Sequence, residues 1–458
     1  MTNMLTVATG RSSALTDTRK EGNFFQEFVW GMVALGVALM ALTQDDVWVA
    51  MLSSLVGLIC LSLLVRRSII VNMCLLATLP YAVGSFFGYL ADITYYPRPT
   101  YTDYSDAAIV QASSLLLTAA LGVVTGVSQR FQKAARLATQ NALYGHTLTK
   151  NAGKVFTISW LIALVIGIHD VIFVGFNFST LVEATRHTYS SQLWVASSPA
   201  GVVFALVLSV VLLYGSLTNG GHKRYLSGFI VMWLPTLLAG GRNYLSVTLV
   251  AAVAILLLSH RSGRIKALIV SALICGVWVF TVVPTLWSEN KLVWLNEWIM
   301  PNSLFLSAYY GYIDPEAVGA TSFAGQSALM LPAALRPFEV STFSTVFQEL
   351  GVTNVGVGGN PWADFASGES AVPWMFAAAT LAFFALGTFG AKFSPVPPLV
   401  IIGLMAFWGR SSFWTTMFLV VYSIVVSTIL LPWAKKRDFA VEDTKGSQLQ
   451  SPRSTGTQ

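Results

Sequence analysis

The sequence predicts an all-α polytopic membrane protein of about twelve transmembrane helices, with a large extracytoplasmic segment between the ninth and tenth. Three observations predict it. Hydrophobic residues make up 55% of the chain and charged residues only 10%, against about 25% charged in an ordinary soluble domain. The apolar residues fall into runs near spanning length, divided by short polar turns. Threading those turns alternately to two faces leaves all but six of the 27 Lys and Arg residues on one face. By the positive-inside rule that face is cytoplasmic, and both termini lie on it. The outer loops hold 15 of the 21 acidic residues.

Residues 1–26 form a polar cytoplasmic tail carrying Arg11, Arg19 and Lys20, with no cleavable signal peptide ahead of the first apolar run. That run is expected to act as its own signal anchor. The membrane domain covers 27–433. Its first spans are expected at 27–43, 47–65, 69–91 and 107–127, with Asp45-Asp46 at an outer turn and Arg66-Arg67 at an inner one. The 92–106 loop is outer and rich in Tyr, Pro and Asp. A basic inner loop, 128–154, carries Arg130, Lys133, Arg136, Lys150 and Lys154. Span five (155–174) leads to an outer loop at 175–196, and span six (197–217) returns to His222-Lys223-Arg224. Spans seven (225–239) and eight (244–259) form a tight hairpin tipped by Gly240-Gly241-Arg242. Span nine (267–284) opens into the outer segment 285–370.

Within that segment, 303–313 and 325–335 are apolar but too short to span, so they read as interfacial or re-entrant helices. Spans ten (372–391), eleven (396–409) and twelve (411–433) complete the bundle, and 434–458 is a disordered cytoplasmic tail. The basic inner face implies topology and contact with anionic membrane lipids, not nucleic acid. Cys60, Cys74 and Cys275 fall within spans, where they fill apolar space.

Six cations stay on the depleted face: Arg98, Arg186, Arg242, Lys291, Arg336 and Arg410. Each is a candidate for binding an anionic substrate. Arg242 stands at the outer membrane boundary with no acidic residue near it in sequence. A guanidinium there is costly unless it snorkels to headgroups or finds a bidentate partner such as phosphate. Gly241 and Gly240 would let backbone N–H groups approach the same anion. Arg186 lies in Glu183-Ala-Thr-Arg186-His187-Thr-Tyr189, where Glu183 could simply pair with it along a helix face. Arg336 is bracketed by Pro332 and Pro337, which would fix the chain around it. Arg98 and Arg410 are further candidates for substrate binding.

Candidate bases on this face are His187, Asp364 and Glu369, with Glu349 and the adjacent His169-Asp170 behind them. Most such carboxylates are expected to be solvated or to cap helices. Outer aromatics, Trp362 among them, would suit sugar faces or form an interfacial belt. No P-loop, zinc motif, Gly-x-Ser-x-Gly or haem signature occurs, and no metal or cofactor is expected.

The order of these elements resembles the bacterial oligosaccharide repeat-unit polymerases, the Wzy-type O-antigen polymerases, which are related to O-antigen ligases. Gly240-Gly241-Arg242 before an apolar span is similar to that family's Gly-x-Arg hairpin. The arginine of the 175–196 loop, followed by Tyr189, resembles its first arginine loop. The stretch from Phe323-Ala-Gly-Gln326 through Leu331-Pro332 to Arg336-Pro337-Phe338 resembles part of its large outer loop. Three departures stand out, the first being that Gly319 stands four and not three residues before Phe323. The arginine near Pro332 is displaced to Arg336, and the large loop has no histidine where the ligases place one.

The resemblance implies a metal-independent glycosyltransferase acting on undecaprenyl-pyrophosphate-linked oligosaccharide at the outer face of the bacterial inner membrane. It further implies a chain-length regulator and a flippase as partners. Arg242, Arg186 and Arg336 would clamp the pyrophosphate. Asp364, Glu369 or His187 would take the acceptor's proton. Two other functions fit the residues alone: a transporter or flippase of lipid-linked oligosaccharide, and a non-catalytic envelope scaffold. Neither a repeat of two halves nor buried charge in the spans points to the transporter.

Overall fold

The computed structural model describes residues 6–44, 46–65, 68–79, 101–144, 152–174, 193, 199–217, 223–238, 242–258, 327–331, 335, 371–405 and 413–430. Among them every regular element is helical. In chain order these are α1 (Thr6–Leu42), α2 (Val47–Leu64), α3 (Ile69–Leu79), α4 (Tyr101–Val124) and α5 (Val127–Tyr144). Then come α6 (Ala152–Val174), α7 (Pro199–Leu217), α8 (Arg224–Leu238) and α9 (Arg242–Leu258). A single 3-10 turn (Ser327–Met330) precedes α10 (Val372–Gly390), α11 (Val396–Met405) and α12 (Phe413–Leu430). Each expected span that falls on described residues overlaps one of these helices. The expected ninth span and the 303–313 stretch lie outside them.

Among the described residues three segments are long and apolar enough to cross a bilayer: Phe24–Leu42, Gly153–Ile172 and Val372–Gly390. Their outward faces show why. On α6, Ile158, Leu161, Val165, Ile168 and Ile172 recur every three or four residues and are 50–72% exposed. On α2 the same spacing exposes Val49, Leu52, Val56, Ile59 and Leu63. Apolar stripes of this size on a protein in water would aggregate; against lipid tails they cost nothing. Helix α7, by contrast, is buried from Gly201 to Gly215 except at Phe204, and α11 is buried throughout. These two form the centre, with α6, α8, α9, α10 and α12 around them.

Close approach between helices depends on missing side chains. A Cβ at Gly167 of α6 would stand 2.3 Å from the Val231 carbonyl oxygen of α8, and one at Gly403 of α11 would stand 2.4 Å from the Val247 carbonyl oxygen of α9. Val231 is four residues before Pro235, which lies inside α8 and has no N–H to offer that carbonyl. The break in the α8 ladder and the notch in α6 therefore meet at one point.

The region read as a basic inner loop is instead largely a helix, α5. Helix α4 is 24 residues long, about 36 Å at 1.5 Å per residue. Gly126, with φ +70°, then ends it as a left-handed cap residue, and α5 leaves at 75°. Its inner side buries Phe131, Ala135 and Thr139, while Arg130, Lys133, Leu137 and Asn141 are exposed. Phe131 meets Phe384 of α10 edge-on at 4.8 Å, and Gln132 accepts from the backbone N–H of Ile69 at the start of α3 (3.2 Å). The helix thus lies across helix ends. Helix α1 also starts earlier than the expected span, so the polar stretch from Thr6 is continuous with it.

Candidate functional site

Helix α8 ends at Leu238 and α9 opens on Arg242, with three residues between them in the sequence. Arg242 is thus the first residue of a helix. The first-turn N–H groups of α9 have no intrahelical acceptor, and the helix dipole adds partial positive charge at the same point. The position alone therefore favours an anion, and α9 has no acidic residue in that turn.

Near the C-terminal end of α6 a histidine and a carboxyl group, neighbours in sequence, meet. Asp170 is fully buried, and its Oδ1 lies 3.1 Å from Nδ1 of His169, whose side chain is 49% exposed. The contact ties the imidazole through Nδ1 to the buried carboxyl group. Asp170 follows Gly167 by three residues and so shares its face, the one α6 turns to α8. Sequence reasoning noted this carboxylate but expected such groups to be solvated. Burial corrects that: Asp170 lies on the inner face of α6 with Ala163, Ile166 and Gly167.

The 3-10 turn Ser327–Met330 belongs to the stretch expected to be interfacial or re-entrant. It packs on α12, where the Tyr422 hydroxyl donates to the Met330 carbonyl at 3.3 Å. Tyr422 stands nine residues into α12, about 13 Å along it, so the turn reaches halfway down a helix rather than resting on its end. Irregular backbone at such depth needs protein around it; Ala328 is 7% exposed. Among the described residues the buried hydroxyls of Ser423 and Thr416 on α12 have no hydrogen-bond partner, nor does Thr236 beside Pro235.

Of the residues singled out from sequence, the structure places Arg242 by its backbone, at the head of α9. Arg186, His187, Arg336, Asp364, Glu369, Arg98, Gly241, Trp362 and Arg410 lie outside the described residues. Among the described residues no three His, Cys, Asp or Glu side chains group together as metal ligands would. Comparison with protein-family models, curated proteins and solved structures gives no match.

Proposed function

We propose that the chain is an integral membrane glycosyltransferase that polymerises undecaprenyl-pyrophosphate-linked oligosaccharide units into surface polysaccharide. In this reading about twelve helices cross the bacterial inner membrane, and chemistry occurs at its periplasmic face. The observation that carries it is Arg242 at the head of α9, behind two glycines and within a motif resembling the polymerases' Gly-x-Arg hairpin. A pyrophosphate leaving group gains negative charge as the sugar–oxygen bond breaks. A fixed guanidinium and orphan N–H donors stabilise that charge without a metal.

The acceptor hydroxyl of one lipid-linked unit attacks the anomeric carbon of the other, and the lipid pyrophosphate leaves. The hydroxyl's proton passes to a base, for which His169, held by buried Asp170, joins His187, Asp364 and Glu369. Arg186 and Arg336 complete the clamp, and the 285–370 segment covers the lipid's reactive end.

The test is the length distribution of surface polysaccharide in a deletion strain complemented with wild type, Arg242→Ala or Arg242→Lys. Single repeat units in the deletion, long chains with wild type and short ones with both variants at normal expression support the reading. Lysine fails because it cannot replace the planar fork. Lipid-linked units accumulating on the cytoplasmic side would indicate a flippase instead. Long chains in every strain would leave a scaffold.

A further inference from the structure

Where α6 and α8 begin, a cluster of side chains has no part in the chemistry above. Arg224 opens α8. Its Nη2 donates to Thr157 Oγ1 of α6 and to the Tyr225 hydroxyl, both at 3.3 Å. The guanidinium also lies over the rings of Trp160 (5.8 Å) and Tyr225 (5.1 Å). Trp160 is fixed in turn by its indole N–H donating to Ser227 Oγ at 3.2 Å. Both hydrogen bonds leave through one nitrogen, so among the described residues Nη1 and Nε of this exposed side chain keep their donors. Lys154 and Lys223 are exposed beside it. No Asp or Glu occurs from 152 to 168 or from 223 to 238, and among the described residues Arg224 forms no ion pair.

A guanidinium held by two hydroxyls and two ring faces, with no carboxylate to meet it, is prepared for a phosphate. The surroundings say which phosphate. Ile158 (56%), Leu161 (50%), Leu226 (42%) and Ile230 (53%) are exposed on the same two helices, next to the cluster and one turn beyond it. Acyl chains would cover them. We propose that the exposed α6–α8 surface at Arg224 is a binding site for the headgroup of an anionic phospholipid. Arg224 binds the phosphate, Lys154 and Lys223 raise the local potential, Trp160 and Tyr225 mark the interfacial level, and the apolar stripe takes the chains.

The experiment is native mass spectrometry on the full-length protein in detergent, titrated with phosphatidylglycerol or phosphatidylcholine of identical chains. Wild type is expected to retain phosphatidylglycerol about tenfold more tightly, the worth of one charge-assisted hydrogen-bonded contact. Arg224→Ala should abolish the preference, and Lys392→Ala, at the turn after α10, should leave it intact. Arg224→Lys keeps the charge and loses the fork. It should fall between the two, and it decides the matter if the alanine variant does not fold. Equal binding of both lipids by wild type, or undiminished preference in the Arg224 variants, would overturn the proposal. Displacement of the lipid by chain-free glycerol phosphate at similar concentration would also overturn it, because the site would then recognise phosphate and not a lipid.

Discussion

At the scale of single residues, the interior is held by a few polar bonds whose strength an apolar medium should raise, though measured values stay modest. Trp233 of α8 donates its indole N–H to Ser209 of α7 at 2.7 Å, and Ser209 passes its own proton to the Ala205 carbonyl at 2.6 Å. Both side chains are buried, so Ser209→Ala strands an indole N–H. The expected loss is about 1 kcal/mol, read as a lower thermal midpoint in detergent. In a Trp233→Phe background the same substitution should cost measurably less, because no donor is left to strand; equal costs would mean the bond contributes nothing. Asp170 behaves differently. A buried carboxylate is costly to desolvate, and Asp170→Asn keeps an acceptor for His169 while removing the charge. The variant should hold or gain thermal stability. If His169 takes a proton in the reaction, it should nevertheless shorten the polysaccharide made in complemented cells. Stability lost together with chain length would mark Asp170 as structural only.

At the scale of elements, α6 and α8 make the sharpest case. The Val231 carbonyl has lost its helix donor to Pro235, and Gly167 admits it to within van der Waals contact of α6. Gly167→Ala forces a methyl group against backbone that has no rotamer to give. The helices must part, at about 1–3 kcal/mol, and a fall in thermal midpoint checks it. Gly36, facing open space, is the control: Gly36→Ala should be neutral or slightly stabilising.

Helices such as α6, α7 and α10 were legible in sequence because spanning a bilayer demands a long apolar run, and such runs announce themselves. Helix α5 was not, because its helical signal is periodic and not cumulative: Phe131, Ala135 and Thr139 share a face while Arg130 and Lys133 lower the mean. The pairing of Gly167 with Pro235 was hidden for another reason, since it joins residues far apart in sequence and no pattern along either helix reports it. The candidate site is divided in the same way. Arg242 was readable as a lone cation at a hairpin tip, whereas the burial of Asp170 depends on which face of α6 meets α8.

At the scale of the whole molecule, side-chain ties test the alternation of helices. Gln129 of α5 donates to Glu27 of α1, Ser68 before α3 bonds Ser128 of α5, and Tyr214 of α7 donates to Thr139 of α5 at 3.2 Å. Thr157 of α6 meets Tyr225 of α8 at 3.3 Å. Each partner lies on the side of its expected span that the charge pattern assigns to the cytoplasm, so the four ties agree with that assignment for α1, α3, α6, α7 and α8. If that side is cytoplasmic, a membrane-impermeant maleimide applied to intact cells should miss His146→Cys and Asn219→Cys and label them only after permeabilisation. Gln44→Cys, Asn302→Cys and Ser370→Cys should react without permeabilisation, each measured in a chain whose three native cysteines are replaced by alanine. None of these substitutions alters an Arg or Lys, so the charges that set orientation stay in place. Labelling of residue 302 only after permeabilisation would put the 285–370 segment in the cytoplasm, away from any outward-facing lipid-linked sugar, and the glycosyltransferase reading would fall with it.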